Sequence, residues 1–357
     1  RYGNGKIIWG RTLREILLAR GIGPDFRYTS ERDPALRESK GATDLDFIHR
    51  QTPEADIYFI RNKKMRAESV NAYFRVSAKT PELWFPDTGT ILAQSVYEQT
   101  TQGVRIPLQL APMGSLFVVF RKPFSRPHLF SLDPGINTIK ITDKEIRVTA
   151  FENGSYQMKT SDGRAIEIEI DQVPSAMKLI GPWKVHFPAG WGAPDSAVFK
   201  ELKSWTEHEH PGIRCFSGTA CYETQFEIPR ELFGNGRDPA LREPRKLYLD
   251  LGQLWAVGEV ILNGQSLGIV WKPPYRIEIT KAVKAGQNRL EIEITNTWAN
   301  RLVGDAQLPP DQRYCRTNIT FSGTPGKSWK EIPLRKSGLL GPVELVPAIE
   351  KTITLTK

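Results

Sequence analysis

The sequence predicts a mainly β protein: an antiparallel β-sandwich followed by a jelly roll, with a short βα remnant at the N-terminus. Three observations carry this reading. Apolar and polar residues alternate with period two in many short runs, the pattern of half-buried strands. Asn153-Gly154, Asp162-Gly163 and Asn263-Gly264 stand between such runs, and these pairs favour the positive φ values that match strand twist in tight hairpins. A helical stripe occurs upstream of them, and many short strands after one helix indicate a sandwich or jelly roll.

In order along the chain, residues 5–10 (Gly-Lys-Ile-Ile-Trp-Gly) read as a short buried strand. A helix follows, with Thr12 and Glu15 at capping-box spacing, Leu13, Ile16 and Leu17 as its apolar stripe, and Gly21 as its stop. Residues 24–46 are polar and charged, and residues 1–43 are expected to be a terminal βα unit of an α/β domain plus linker. A small β-sandwich is expected over 44–125. Asp56–Asn62 is strand-like, Val70, Ala72, Phe74 and Val76 alternate, Leu116, Val118 and Phe120 do the same, and Pro86-Asp-Thr-Gly89 marks a turn.

Residues 126–178 read as a hairpin meander or connector. Ile146, Val148 and Ala150 alternate, then Tyr156 and Met158, then Ile166, Ile168 and Ile170, with the two glycine turns between them. Whether this sheet completes the preceding sandwich or stands alone is left open. The jelly roll is expected over 179–357, with strands at Tyr222–Ile228, Lys246–Gly252, Glu259–Leu262, Arg289–Thr295 and Val343–Val346. Pro273-Pro274 must stop strand pairing, since neither residue has an N–H to donate, which frees the ring of Tyr275 to pack against the sheet.

The chain has 357 residues, long enough for two or three domains, and a formal net charge of +9. Lys and Arg are scattered with no five-residue basic block, so a basic surface is a better reading than nucleic-acid binding. No apolar run reaches the ~18 residues of a membrane-spanning helix. The sequence opens on Arg1 without a charged-then-apolar leader, as expected for a processed chain or the tail of a longer one, and this leaves secretion undecided. Cys215, Cys221 and Cys315 have no metal-ligand spacing. The first two could pair across neighbouring strands, but an odd count gives no disulfide framework. Asn318-Ile-Thr320 is a formal glycosylation sequon.

Several motifs resemble a known family. Phe216-Ser-Gly-Thr-Ala-Cys-Tyr222, Leu247-Tyr-Leu-Asp-Leu-Gly252, Glu259-Val-Ile-Leu-Asn-Gly264, Gly268-Ile-Val-Trp-Lys-Pro-Pro-Tyr275 and Asn288–Asn296 follow one another in an order that resembles the galactose-binding-like jelly roll of family 2 glycoside hydrolases. Trp298-Ala-Asn-Arg-Leu-Val-Gly-Asp305, Ser337-Gly-Leu-Leu-Gly-Pro342, Asp46-Phe-Ile-His-Arg50 and Ala55-Asp-Ile-Tyr-Phe59 narrow the likeness to the C-terminal region of glycoside hydrolase family 106, the α-L-rhamnosidase-like enzymes. In that family a (β/α)-barrel precedes these modules and carries the catalytic carboxylates. The resemblance therefore implies a non-catalytic accessory region whose partners are a glycan, rhamnose-containing by family, and an N-terminal catalytic domain. It further implies a secreted or periplasmic parent enzyme. Two other readings stay open: a stand-alone carbohydrate-binding module and a purely structural interdomain module. No cofactor is expected, and a structural calcium is left open.

Glycoside hydrolysis needs two carboxylates about 5–9.5 Å apart. Glu291 and Glu293 alternate with Leu290, Ile292 and Ile294, and Glu167 and Glu169 repeat the pattern, so both pairs read as solvent-facing ladders. No catalytic residue is therefore assigned. Glu207-His-Glu-His210 lacks a third ligand at recognisable spacing and reads as a polar surface loop. His49 and Arg50 match the family's His-Arg motif, which places them at an interdomain seam near the active site or in a buried polar network. Trp255, Trp271, Tyr275 and Trp298 cluster in the jelly roll, where tryptophan is more often core. Trp191, Trp205 and Trp329 fall in loops, where a ring is better placed to stack on sugar, with Asn300, Arg301 and Asp305 as hydroxyl partners. The candidate carbohydrate-binding set is thus His49, Arg50, Trp271, Tyr275, Trp298, Asn300, Arg301 and Asp305, with no metal ligand assigned.

Overall fold

A computed structural model describes residues 3, 5, 7–30, 43–124, 128–132, 135–142, 144–229, 245–317 and 328–355. The glycosylation sequon at 318–320 lies outside them. The chain is mainly β, with several antiparallel sheets and few, short helices. Two compact units are present: Arg1–Leu132 with Met158–Ile166, and Asp133–Gln157 with Glu167–Lys357.

The first unit opens with helix α1 (Leu13–Ala19). Its capping box forms as the spacing predicts: the Thr12 amide donates to Glu15 Oε2 at 2.8 Å, and the Glu15 amide donates to Thr12 Oγ1 at 3.3 Å. None of its residues is buried. The buried strand expected over residues 5–10 is not found. Residues 7–9 have no regular structure, and Ile7 and Trp9 are 73% and 84% exposed. A strand needs a hydrogen-bonding neighbour and an apolar side chain needs a surface to pack on, and the described residues of this unit give neither to residues 7–9.

Most of the rest of the first unit is a two-sheet antiparallel sandwich. Its strands are β1 (Phe26–Ser30), β2 (Leu45–Gln51), β3 (Asp56–Asn62), β4 (Glu68–Phe74), β5 (Lys79–Phe85), β6 (Thr90–Ala93), β7 (Glu98–Thr100), β8 (Gly103–Leu110) and β9 (Ser115–Pro123), while β10 (Leu129–Leu132) lies in neither of its sheets. One sheet runs β1-β4-β8-β7 and the other β2-β3-β9-β5-β6. Alternate residues of both face one core: Tyr58 and Ile60, Val70, Ala72 and Phe74, Ile106 and Leu108, and Leu116, Val118 and Phe120. The turn expected at Pro86–Gly89 forms, with Gly89 at φ +68° and its amide bonded to the Phe85 carbonyl at 2.9 Å.

The remaining strands are β11 (Ile136–Ile141), β12 (Glu145–Ala150), β13 (Gly154–Thr160), β14 (Ala165–Ile170), β15 (Met177–Lys178), β16 (Trp183–His186), β17 (Ser196–Phe199), β18 (Thr219–Ile228), β19 (Arg245–Asp250), β20 (Gln253–Trp255), β21 (Val257–Leu262), β22 (Gln265–Val270), β23 (Arg276–Glu278), β24 (Gly286–Thr295), β25 (Gly338–Gly341) and β26 (Glu344–Thr354). In the second unit one large sheet runs β17-β16-β18-β24-β21-β22. The other runs β11-β12-β26-β19-β23, with β15 also on β26. Strand β12 pairs with β26 from Glu145↔Thr354 to Ala150↔Ile349, so this hairpin of the predicted meander belongs to the second unit's sheet.

Both sheets feed one core. Trp183, Tyr222, Val260, Leu290 and Ile292 come from the first, and Leu247, Leu249 and Leu345 from the second. The β21–β22 turn is the predicted one: Asn263 and Gly264 both take positive φ, 53° and 81°, as a two-residue hairpin loop requires. Strand β22 ends before Pro273-Pro274, and Tyr275 packs half-buried against the core.

At one end of this core the Tyr222 hydroxyl accepts from Trp205 Nε1 at 2.6 Å and from the Leu339 amide at 3.1 Å, all three residues being fully buried. Tyr222→Phe strands two buried donors. A loss of about 2–4 kcal/mol in unfolding free energy is expected by chemical denaturation, well beyond that of a surface Tyr→Phe control such as Tyr314→Phe.

Candidate functional site

Two clusters of polar and aromatic residues stand out, one in each unit. In the first unit β2 places His49 and Arg50 on opposite faces, because successive strand residues alternate. His49 lies between two carboxylates: its Nδ1 is 2.6 Å from Asp25 Oδ2, and its Nε2 is 3.4 Å from Asp56 Oδ1. Its ring stacks on Tyr58, 3.9 Å centroid to centroid and 6° from parallel. The carboxylates are tied further. Tyr58 Oη donates to Asp25 Oδ1 at 3.3 Å, Arg75 pairs with Asp25 at 3.3 Å, and Lys79 pairs with Asp56 at 2.8 Å. Burial first, then the Asp25 charge, pushes the Tyr58 phenol well above its usual pKa. His49 Nε2 makes no aligned hydrogen bond, but the hydrogen bonds and ion pairs of Asp25, Asp56 and Tyr58 tie the strands that carry them to one another. Arg50 faces away from it and is exposed.

In the second unit, strand register gathers tryptophans at one end of a sheet. Val257 pairs with Thr295 and Gly258 with Val270. Trp255, Trp271 and Trp298 follow or precede those positions by one to three residues, so all three reach the same end. They are 49%, 53% and 64% exposed, which corrects the expectation that they are core. Trp191 meets Trp298 edge-on at 6.3 Å, and Lys272 Nζ lies 5.9 Å over the Trp271 ring. Trp205, expected in a loop and free to stack, is fully buried against Phe187, Phe216 and Tyr222. Its turn follows a Ser204 cap and leads the indole inward.

Beside this rim lies helix α3 (Ala299–Ala306), which carries three predicted site residues. All three are buried: Asn300 2%, Arg301 3% and Asp305 3% exposed. Asn300 Nδ2 donates to the Arg335 carbonyl at 2.7 Å and to Ser337 Oγ at 3.1 Å, while its Oδ1 accepts from the Arg335 amide at 2.8 Å. Arg301 donates through Nη1 to the Trp191 carbonyl at 3.2 Å and lies 4.6 Å over the Tyr314 ring. Its Nε is 3.0 Å from Asp305 Oδ1, one turn along the helix, close in distance but not aligned for a hydrogen bond. Asp305 Oδ2 accepts from the Cys315 amide at 2.8 Å and from its thiol at 2.9 Å. The structure thus brings Asn300, Arg301 and Asp305 together with Trp298. It packs Tyr275 half-buried against the core and holds Trp271 on the rim.

Sequence reasoning missed α3 itself and its partners Tyr314 and Cys315. The signal was present: Arg301 and Asp305 have the i, i+4 spacing of an ion pair on one helix face. Between α3, the turn at Pro310–Gln312 and Trp329 a cleft of about 420 Å³ opens, lined by Leu302, Asp305, Asp311, Arg313, Arg316 and Trp329 among others.

The carboxylate ladders fall as read. Glu291 and Glu293 sit half-exposed on the outer sheet face opposite Glu223 and Cys221, and Glu167 and Glu169 are exposed. His208 Nδ1 accepts from the His210 amide at 3.0 Å, and His210 Nδ1 accepts from the Gly212 amide at 3.1 Å. These two rings therefore cap local backbone, the second at the start of α2 (Pro211–Arg214). The three cysteines are free thiols. Burial and the neighbouring Asp305 push Cys315 up to about 11, burial and three glutamates push Cys221 up to about 11, and burial raises Cys215.

Residues 1–99 match the family model described as alpha-L-rhamnosidase. A rhamnosidase structure from Novosphingobium sp. PP1Y is similar over 94% of this chain, at 32% identity and a TM-score of 0.66. A protein of Formosa agariphila named "Putative beta-glucuronidase" is 36% identical over 248 residues, 65% of this chain. The chain spans 26% of the length of the first and 21% of the second. The rhamnosidase-family resemblance read from the sequence is borne out, and the relatives are glycoside hydrolases. Among the described residues no helix is long and apolar enough to cross a membrane.

Only thiolate is nucleophilic, so thiols held this high should alkylate slowly. Iodoacetamide at pH 8 should label the native chain far more slowly than the urea-unfolded chain. The rate should climb as pH rises toward 11, read by mass spectrometry of the tryptic peptides, with fragment ions separating Cys215 from Cys221 in their shared peptide 215–230.

Proposed function

We propose that this chain is a non-catalytic C-terminal accessory region of a rhamnosidase-like glycoside hydrolase, packing against the catalytic domain and touching glycan with its aromatic rim. The observation that carries this reading is the N-terminal segment. Ile7, Ile8, Trp9, Leu13, Leu18 and Ile22 are all exposed, two of them on a capped helix with no buried residue and the others just before or after it. Six large apolar side chains exposed within sixteen residues are what an interaction surface offers. It lies inside the stretch that matches the rhamnosidase family, and the chain spans about a quarter of the similar rhamnosidase. The occupant proposed is therefore the catalytic domain of the same enzyme.

The engagement of the carboxylates supports the non-catalytic half of the reading. Asp25 is paired with Arg75, Asp56 with Lys79 and Asp305 with Arg301, His49 lies against the first two carboxylates, and the glutamate ladders face solvent. A retaining or inverting pair needs one carboxyl with a raised pKa beside one that is free to attack or to activate water. The glycan-contact half rests on Trp255, Trp271 and Trp298, whose exposed indoles offer flat apolar faces with an N–H at the edge. The parent enzyme is proposed, on family resemblance, to be secreted or periplasmic and to act on a rhamnose-containing glycan.

The purified 357-residue chain should not hydrolyse an aryl α-L-rhamnoside above the buffer rate. Turnover that survives repurification and follows the chain through gel filtration would contradict the proposal.

A further inference from the structure

The rim does not account for the cleft beside α3, whose lining has a chemistry of its own. Its apolar wall includes Leu302, and Trp329 lies half-buried on another side. Around them stand two guanidinium groups and one carboxylate: Arg313, Arg316 and Asp311, all exposed. Arg316 makes no ion pair or hydrogen bond among the described residues, and Arg313 donates only its Nε, to the Leu308 carbonyl at 3.2 Å. The forked ends of both arginines are thus available. Asp305, by contrast, is consumed at the base by Arg301 and Cys315. Its part is to fix Cys315 and so the course of the chain between Arg313 and Arg316.

We infer that this cleft binds a uronic-acid residue of an acidic glycan. Its volume of about 420 Å³ falls within the range of small-molecule sites. A planar guanidinium matches a carboxylate through two parallel hydrogen bonds. A carboxylate such as that of Asp311 accepts from hydroxyls, and so favours a hydroxylated ligand over a bare anion, which it repels. An indole stacks on the apolar face of a pyranose. Two forks, one acceptor and one indole around a single cavity fit a sugar that carries its own carboxylate better than a neutral sugar or an inorganic anion. The net charge of +9 adds a long-range field that attracts a polyanionic chain. The inference goes beyond the accessory role proposed above and holds whether or not the chain takes part in hydrolysis.

Calorimetric titration of the 357-residue chain with digalacturonate, with neutral galactobiose and with sulfate tests it. Digalacturonate should bind, and binding should weaken as salt is raised past about 300 mM. Arg316→Ala should lower affinity about tenfold or more, and Arg316→Lys should fall between, because it keeps the charge and loses the fork. Asp311→Ala should weaken digalacturonate although it removes a repelling charge. Arg316 and Asp311 are exposed, so unchanged thermal midpoints are expected and affinity reads the site alone. No digalacturonate binding, equal binding of galactobiose or sulfate, or full affinity in Arg316→Ala would each overturn the inference.

Discussion

A guanidinium buried in a protein interior must be neutralised, and one end of the second unit is arranged around that requirement. Arg301 is held on α3 by Asp305 one turn later, by the Trp191 carbonyl and by the Tyr314 ring. Each partner then carries structure outward. Trp191 sets the loop that meets Trp298. Tyr314 lies against Gly192, whose φ of +85° lets the backbone pass where a Cβ would come within 2.9 Å of the ring. Asp305 fixes Cys315 and with it one wall of the cleft. The exposed surface at this end is therefore the outside of a buried polar knot.

The two units handle their polar groups in the same manner. His49 in the first unit reaches distant segments through its carboxylate contacts, and Arg301 in the second through the Trp191 carbonyl, each backed by a tyrosine ring. The N-terminal segment does the opposite. Its helix satisfies its own backbone with a capping box and presents apolar residues to solvent. A seven-residue helix gains little stability by itself, so most of what would hold it lies in a surface it packs against.

Much of the fold was legible in the sequence. Period-two alternation located β3, β4, β9, β12, β18, β21 and β24, and the Asn263-Gly264 pair fixed its hairpin, because both signals are local consequences of backbone geometry. Long-range pairing was not legible. Nothing near Glu145–Ala150 says that its neighbour is β26, some two hundred residues later. The apolar run at 7–9 has the composition of a strand, yet a strand exists only with a partner. The site divided along similar lines. Asn300, Arg301 and Asp305 were found as residue types, but their burial follows from α3, and the tryptophans exchanged roles. Trp205 turned inward behind a serine cap, whereas Trp271 and Trp298 lie past strand ends, where the sheet no longer covers them.

The dependence of this end on the buried pair is open to a double-mutant cycle on Arg301 and Asp305, read by chemical denaturation. Asp305→Leu alone leaves a buried guanidinium without its counter-charge and should cost about 3–5 kcal/mol. Arg301→Met with Asp305→Leu removes both charges and should recover much of that loss, giving a coupling energy of about 1 kcal/mol or more. Additive single losses, with the double variant no better than Asp305→Leu, would show that the pair does not hold α3 and would contradict the account.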